Sequence, residues 1–113
     1  MPMSGDESED KACHFLQEQG FRIVARNWRT RTGEVDIVAR DGGTLVFVEV
    51  KARSGGGFGG PEAAVDRSKQ RRIISAALSF MEVTECELPT RFDVVAIRPG
   101  KLYHYRDAFQ VVG

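Results

Sequence analysis

The sequence has few of the features that mark disulfide-rich secreted proteins, zinc-binding proteins with paired cysteines, or membrane proteins. Only two of its 113 residues are cysteines, too few for a disulfide framework, and they do not form a C-x-x-C pair. The longest apolar runs, such as residues 45–48, end at a charge far short of the roughly 20 residues that span a bilayer. The N-terminus is acidic where a signal peptide requires a basic start and an apolar core. We therefore expect a cytoplasmic protein without a membrane segment.

The sequence also lacks net charge, because sixteen basic residues balance sixteen acidic ones. The overall charge thus gives no support to nucleic-acid binding. The basic residues are nevertheless concentrated in two segments, Arg22, Arg26, Arg29 and Arg31, and Arg67, Lys69, Arg71 and Arg72. These segments fit either a nucleic-acid surface or two solvated faces, and the sequence leaves both interpretations open.

The hydrophobic periodicity predicts one α/β (α+β) domain over residues 1–113, with a central mixed sheet flanked by two helices in the order αβββαββ. Asp41-Gly42-Gly43 indicates a hairpin turn, and Pro99-Gly100 suits the centre of a type II turn. We expect residues 1–5 to be disordered and residues 54–60 to form a mobile glycine-rich loop. The predicted helices cover residues 6–19 and 61–83, and the predicted strands cover residues 21–27, 33–40, 44–53, 91–98 and 101–105.

The predicted hairpin brings charged side chains together. Residues two apart on a strand share a face, so Glu34 lies with Asp36 and Glu49 with Lys51. If Gly42-Gly43 is the turn, Asp36 lies opposite Glu49, with Cβ atoms about 4.5–5.5 Å apart, close enough to share a cation. A register shift of two would place Glu34 opposite Glu49, and a shift of one would separate the group.

An alternative is a solvated face on which Glu34 pairs with Lys51, since such exposed ion pairs are common and contribute little. Against it, Val38, Leu45 and Phe47 share this face, which places the carboxylates among apolar groups. Like charges in opposed positions destabilise a sheet unless a cation or a proton intervenes. The spacing therefore favours a metal site without excluding the alternative.

Several segments resemble the YraN-like family of predicted endonucleases. They are GEVDIVA (33–39), LVFVEVKAR (45–53), Arg26-Asn27-Trp28-Arg29, Phe58-Gly59, Lys69-Gln70 and Arg91-Phe92-Asp93. The resemblance extends from about residue 9 to residue 95. That family is assigned to the restriction-endonuclease-like PD-(D/E)xK superfamily and is distantly similar to archaeal Holliday junction resolvases. The resemblance implies this fold more firmly than it implies an activity.

The resemblance implies site residues as well. Asp36 matches the Asp of the superfamily pattern, and Glu49 and Lys51 match its E-x-K, although Val35 replaces the nominal proline. Glu9 matches an acidic residue early in the first helix, although Ser8 replaces the usual glycine. The helical stripe of Glu9, Ala12, Cys13 and Leu16 supports an inward-pointing carboxylate. The alternative for Glu9 is an acid that interacts favourably with the helix dipole.

The implied chemistry is hydrolysis of phosphodiester bonds with Mg²⁺ or Mn²⁺. Asp36 and Glu49, with Glu9 as a further candidate, would bind the ion, which polarises the phosphate and activates water. Lys51 would orient the water or stabilise developing charge. Contacts to nucleic acid are expected from Lys69, Gln70, Arg72 and Arg53. The expected substrate is DNA rather than RNA, branched or single-stranded, and a homodimer would suit it although no residue pattern requires one.

Two further classes of function remain open. The chain could bind nucleic acid on a nuclease-like fold without cutting it, or its charged face could pair with another protein. The G-x-G-x-x-G match in residues 55–60 is not expected to bind a dinucleotide, because the preceding strand belongs to a hairpin. Trp28, among arginines, is expected to pack in the core rather than stack on a base.

Overall fold

A computed structural model describes residues 5–52 and 65–111, which contain two helices and five strands. Their order is αβββαββ, as the sequence predicts. The elements are α1 (Gly5–Glu18), β1 (Arg22–Arg29), β2 (Glu34–Asp41), β3 (Thr44–Ala52), α2 (Arg67–Thr84), β4 (Thr90–Arg98) and β5 (Lys101–Phe109).

The five strands form one mixed sheet in the order β1-β2-β3-β4-β5. All neighbouring pairs are antiparallel except β3 and β4, which are parallel. Parallel neighbours require a crossover connection, and the segment between these two strands contains α2. The result is an α+β architecture consistent with the restriction-endonuclease-like fold. Neither helix among the described residues is long and apolar enough to cross a membrane.

Each face of the sheet carries its own hydrophobic core, because successive strand residues point to opposite faces. On one face α1 packs Leu16 against Ile37 and Val48. On the other face α2 packs Phe80 against Phe47, with ring centroids 6.1 Å apart. The stripe of Ala12, Cys13 and Leu16 predicted for α1 is buried. On α2, Ile73 and Ala77 are buried as the periodicity predicts, but Leu78 is 60% exposed, and Ala76 and Phe80 are buried instead.

The β2–β3 hairpin has the first of the registers considered from sequence. Asp41 pairs with Thr44 and Ile37 with Val48, so Gly42-Gly43 is the two-residue turn. Gly42 has a φ of +60°, a left-handed conformation that glycine adopts without steric penalty. This register keeps Asp36 and Glu49 on one face, next to each other.

Two differences from the predicted boundaries matter here. Residues 65 and 66, predicted to be helical, precede α2: Asp66 is extended and caps the helix by accepting a hydrogen bond from the Lys69 N–H at 2.8 Å. Strand β5 continues to Phe109 rather than ending at Tyr105, because a bulge lets Phe109 pair with and stack on Phe92. The disorder predicted for residues 1–4, the loop predicted for residues 54–60 and the helix predicted for residues 61–64 lie outside the described residues. Residue 5 was also predicted to be disordered, but Gly5 is the first residue of α1.

A buried ionic network ties β4 to β5 on the α1 face. The Asp93 carboxylate is fully buried and accepts two hydrogen bonds from Arg91 and one from the Asp107 N–H, and it also bonds to the His104 ring at 2.8 Å. Burial alone would raise the pKa of Asp93, but these hydrogen bonds outweigh it and lower that pKa to about 2. Arg91 also reaches Asp41 at the hairpin end of β2, away from Asp36.

Candidate active site

Asp36 lies where the backbone ladder between β2 and β3 ends. The last backbone pair on this side joins Ile37 to Val48. One step further, the Asp36 Oδ2 atom accepts a hydrogen bond from the Val50 N–H at 2.8 Å. The side chain thus takes a backbone donor of the neighbouring strand and is fixed beside Glu49.

The carboxyl groups of Asp36 and Glu49 are hydrogen-bonded to each other. The Glu49 side chain is only 12% exposed. Burial, together with the charge of Asp36 and the hydrogen bond to it, raises the pKa of Glu49 to about 8. At neutral pH Glu49 therefore retains its proton. A proton or a cation can stabilise two carboxyl groups that lie this close together.

A lysine from α2 completes the cluster. The Lys69 Nζ atom lies 3.5 Å from Glu34 Oε1 and 3.7 Å from Glu49 Oε2. Arg29 Nε lies 3.5 Å from the other oxygen of Glu34. The alternation of β2 indicates that Glu34 shares a face with Asp36, but nothing in the sequence shows that Lys69 would lie between Glu34 and Glu49.

The position of Lys69 depends on how closely α2 approaches β2. A Cβ atom added to Gly33 would lie 1.9 Å from the backbone oxygen of Arg72, so only glycine allows this approach. Next to this contact the hydroxyl groups of Thr32 and Ser75 are hydrogen-bonded. The start of β2 therefore holds the first turns of α2 over the carboxylates.

Glu9 lies on α1 and is 5% exposed, as its position on the helical stripe predicts. Its Oε1 atom accepts a hydrogen bond from Asn27 Nδ2 at 2.9 Å and lies 3.5 Å from Arg26. Asn27 has a φ of +53°, so β1 is kinked at the residue that holds Glu9. The role of Glu9 as a metal ligand remains a prediction.

The other predicted site residues are placed as follows. Lys51 is partly exposed on β3, on the same face as Glu49 two residues earlier. The Gln70 amide donates a hydrogen bond to the Val65 carbonyl at 2.7 Å, at the start of α2. Arg72 is exposed on α2, and Arg53 lies outside the described residues.

The carboxylates at this site suit an ion such as Mg²⁺, which keeps water and substrate ligands, better than an ion that is held by protein ligands alone. Over residues 5–52 and 65–111, no three His, Cys, Asp or Glu side chains are grouped so that they could hold a metal ion. Asp36 and Glu49 contribute two carboxylates, and Mg²⁺ is commonly held by one or two carboxylates with waters and substrate phosphate as its remaining ligands. A cation here would replace the proton that Glu49 retains, so the residues fit such an ion.

Comparison with known proteins identifies the family. The profile of the Uncharacterised protein family UPF0102 matches residues 8–97. The chain belongs to the UPF0102 family. It is 49% identical to a UPF0102 protein of Ralstonia nicotianae, over 96% of this chain and 87% of that protein. It is 39% identical to one of Persephonella marina, over 96% and 95% of the two chains, and 49% identical to one of Rhodococcus opacus, over 93% and 94%.

The UPF0102 match confirms the family relationship expected from the YraN-like segments. It includes the whole carboxylate cluster with Lys51 and Lys69, and it ends one residue before the end of β4. Strand β5 lies beyond it. The family description names no activity, so the function of the cluster has to be argued from its chemistry.

Proposed function

We propose that this UPF0102 protein is a metal-dependent nuclease that hydrolyses phosphodiester bonds in DNA. The observation that carries the proposal is that Asp36, held by the Val50 N–H where the hairpin ladder ends, lies beside the buried Glu49. A buried pair of this kind is an unfavourable arrangement that a divalent cation would relieve. Lys51 on the same face completes the D…E-x-K pattern that suggested a nuclease.

The chain's own residues would act as follows. Asp36, fixed by the Val50 N–H, and Glu49 would hold Mg²⁺ or Mn²⁺. Such an ion, when bound, supplies Lewis-acid activation of the phosphate and of water. Lys51 carries a compact positive charge that would orient the attacking water or stabilise charge developing on the phosphate.

Nucleic-acid contacts are best assigned to the exposed arginines of α2. Lys69 and Gln70, which the sequence suggested for this role, have partners within the protein at Glu34, Glu49 and the Val65 carbonyl. Arg67, Arg71 and Arg72 are exposed along the same helix. We therefore assign phosphate binding to these arginines, and we assign Lys69 to holding the carboxylate cluster.

A second candidate is a nucleic-acid-binding module that does not cut. The observation that favours it is the Lys69 ammonium group, which already lies 3.5 Å from Glu34 and 3.7 Å from Glu49. In that case the cluster would be a structural ion-pair group. DNA, a cytoplasmic location and a homodimer are expectations shared by both candidates.

The test is a cleavage assay with the purified full chain on linear, flapped, four-way and single-stranded DNA, in Mg²⁺, Mn²⁺ or EDTA. We expect metal-dependent cleavage that Asp36→Asn and Glu49→Gln each reduce at least about 100-fold. Glu82→Gln, which changes an exposed carboxylate on α2, is the matched control and should cut normally.

The proposal would be rejected by intact DNA across the whole panel, or by activity that survives Asp36→Asn. Binding of the same DNA without cleavage, in metal as in EDTA, would instead support the second candidate. A cleavage activity unchanged by EDTA would point to a contaminating nuclease or to a different site.

A further inference from the structure

The side of α2 that points away from the sheet lines a groove. Ile73, Ala77 and Phe80 are buried on the side that packs against the sheet. The opposite side of the helix, together with Val111 after β5, borders an open groove of about 570 Å³. Its α2 residues recur at intervals of three and four, which is the spacing of one helix face. They are Arg71, Ile74, Ser75, Leu78, Ser79 and Glu82.

The middle of this groove is apolar and exposed. Leu78 is 60% exposed and Val111 is 56% exposed, and Ile74 in the same groove is partly exposed. Single exposed apolar residues are ordinary on a protein surface, whereas adjoining ones mark an interaction surface. A partner that covered this groove would therefore remove apolar surface from water.

The two ends of the groove carry opposite charges. Arg71 lies in the N-terminal part of α2 and Glu82 in its C-terminal part, about 16 Å apart along the helix axis. Both side chains are exposed. Neither forms an ion pair or a side-chain hydrogen bond with another residue of the ranges 5–52 and 65–111. The face thus has a cation at one end, an anion at the other and apolar groups between them.

We propose that this face of α2 binds the same face of a second copy of the chain, with the two helices antiparallel. A two-fold axis through the middle of the groove sets Arg71 of each copy opposite Glu82 of the other, so the contact contains two ion pairs. Leu78 of each copy then meets Ile74 and Ser75 of the other. In a parallel pair, Arg71 would lie opposite Arg71 and Glu82 opposite Glu82, and these like charges would repel.

Small side chains allow the two helices to approach each other. Ser75 and Ser79 lie between the larger residues of the face. The Ser75 hydroxyl is already hydrogen-bonded to the Thr32 hydroxyl, so it requires no partner across the interface. A single pair of helices buries less than the standard protein interface of about 1,600 Å². We therefore expect a weak dimer that dissociates on dilution.

Nucleic acid is the competing occupant, because Arg71 could also contact a phosphate. Glu82 at the other end of the groove would repel phosphates, and Leu78 and Val111 would gain nothing from them. A second copy uses the charges and the apolar residues together. The composition of the groove therefore favours the second copy.

The interface does not depend on the nuclease function. Each copy has its own Asp36 and Glu49, so cleavage does not require the dimer. Arg67 and Arg72 do not line the groove, so phosphate binding by these two arginines is compatible with it. A chain that dimerises but never cuts DNA would keep this interface and reject the nuclease, and a monomer that cuts DNA would do the reverse.

The experiment measures self-association of the purified full chain by sedimentation equilibrium, between about 1 and 500 µM. Arg71→Glu and Glu82→Arg each place like charges in both contacts, so each should raise the dimer Kd at least about 10-fold. An equimolar mixture of the two variants should form a heterodimer with a Kd within about threefold of the wild-type value, because every contact again joins opposite charges. Variants that failed to fold could not give this rescue.

Leu78→Ala tests the apolar middle of the groove. It should raise the dimer Kd at least about 10-fold, since both copies lose the side chain. Val83→Ala is the matched control, because Val83 is 67% exposed on the same helix but does not line the groove. Its Kd should equal that of the wild type.

Three results would overturn the proposal. They are a chain that stays monomeric over the whole concentration range, a dimer that Leu78→Ala leaves unchanged, and charge variants whose mixture associates no better than either variant alone. If Leu78→Ala weakens DNA binding in a chain that stays monomeric, nucleic acid is the occupant of the groove and the proposal is rejected.

Discussion

Glu49 is the side chain whose ionisation the structure changes most clearly at the candidate site. Its pKa of about 8 lies above the ordinary value of 4.5, because the side chain is buried beside Asp36. The folded state therefore retains a proton that the unfolded chain releases, and the folded chain loses stability as pH rises from 4.5 to 8.

Glu49→Gln removes this titration while it keeps the shape of the side chain. We expect the variant to be more stable than the wild type at pH 8 by on the order of 4 kcal/mol, and to be nearly equal to it at pH 4.5. Urea unfolding at the two pH values measures the difference. A stability gap that is the same at both would show that Glu49 ionises normally.

The pKa of Asp93 is shifted in the opposite direction, downward. Its carboxylate links β4 to β5 through His104 and the Asp107 N–H. Its pKa of about 2, below the ordinary 3.8, means that the folded state binds its proton less readily than the unfolded chain. The stability that Asp93 contributes is present above pH 3.8 and is lost as pH falls toward 2, by up to about 2 kcal/mol.

Asp93→Asn should lower the free energy of unfolding at pH 7 by about 3 to 5 kcal/mol, because it leaves Arg91 without its buried partner. The variant should also lose less further stability than the wild type between pH 4 and pH 2. Urea unfolding across this pH range checks both, with the exposed Asp10→Asn as control. An unchanged acid slope would contradict the assignment.

At the scale of elements, the contact between Gly33 and α2 decides where Lys69 lies. Gly33→Ala would place a methyl group 1.9 Å from the Arg72 oxygen, so α2 would have to move away from β2. We expect a loss of about 2 to 3 kcal/mol in unfolding free energy, as for other overpacked contacts. Cleavage should fall as well if Lys69 holds the carboxylates.

Gly43→Ala is the matched control for this change. No heavy atom lies within 4 Å of the Cβ it would add, so its unfolding free energy should change by less than about 1 kcal/mol. Urea unfolding of both variants checks the prediction. Equal losses would mean that glycine flexibility, rather than the close approach of α2, explains the effect.

Other element boundaries show where sequence patterns mislead. The predicted second helix includes residue 66, yet Asp66 is the cap of α2, and its side chain accepts a hydrogen bond from the Lys69 N–H. The length of β5 depends on a bulge containing Asp107, whose φ is +54° and whose N–H bonds to Asp93. Neither hydrogen bond can be read from hydrophobic periodicity, because each depends on which residues meet in space.

At the scale of the molecule, the net charge is zero, but the exposed Arg67, Arg71 and Arg72 form a basic surface along α2. Arg72→Ala should weaken binding to all DNA sequences alike and reduce the slope of log K against log salt by about 1. Anisotropy titrations between about 50 and 200 mM salt measure this. Lys11→Ala, on the opposite helix α1, is the control, and an equal effect of both changes would contradict a localised surface.

What the sequence alone determined is local. Alternating apolar residues exclude a register shift of one, because it would turn the apolar face outward. They do not exclude a shift of two, and the structure selects the register with Gly42-Gly43 as the turn. Asp36 and Glu49 could therefore be predicted to share a face. The approach of α2 to Gly33 and the parallel pairing of β3 with β4 were decided only by tertiary structure. Those long-range contacts bring Lys69 to Glu49, because they join residues that no local period relates.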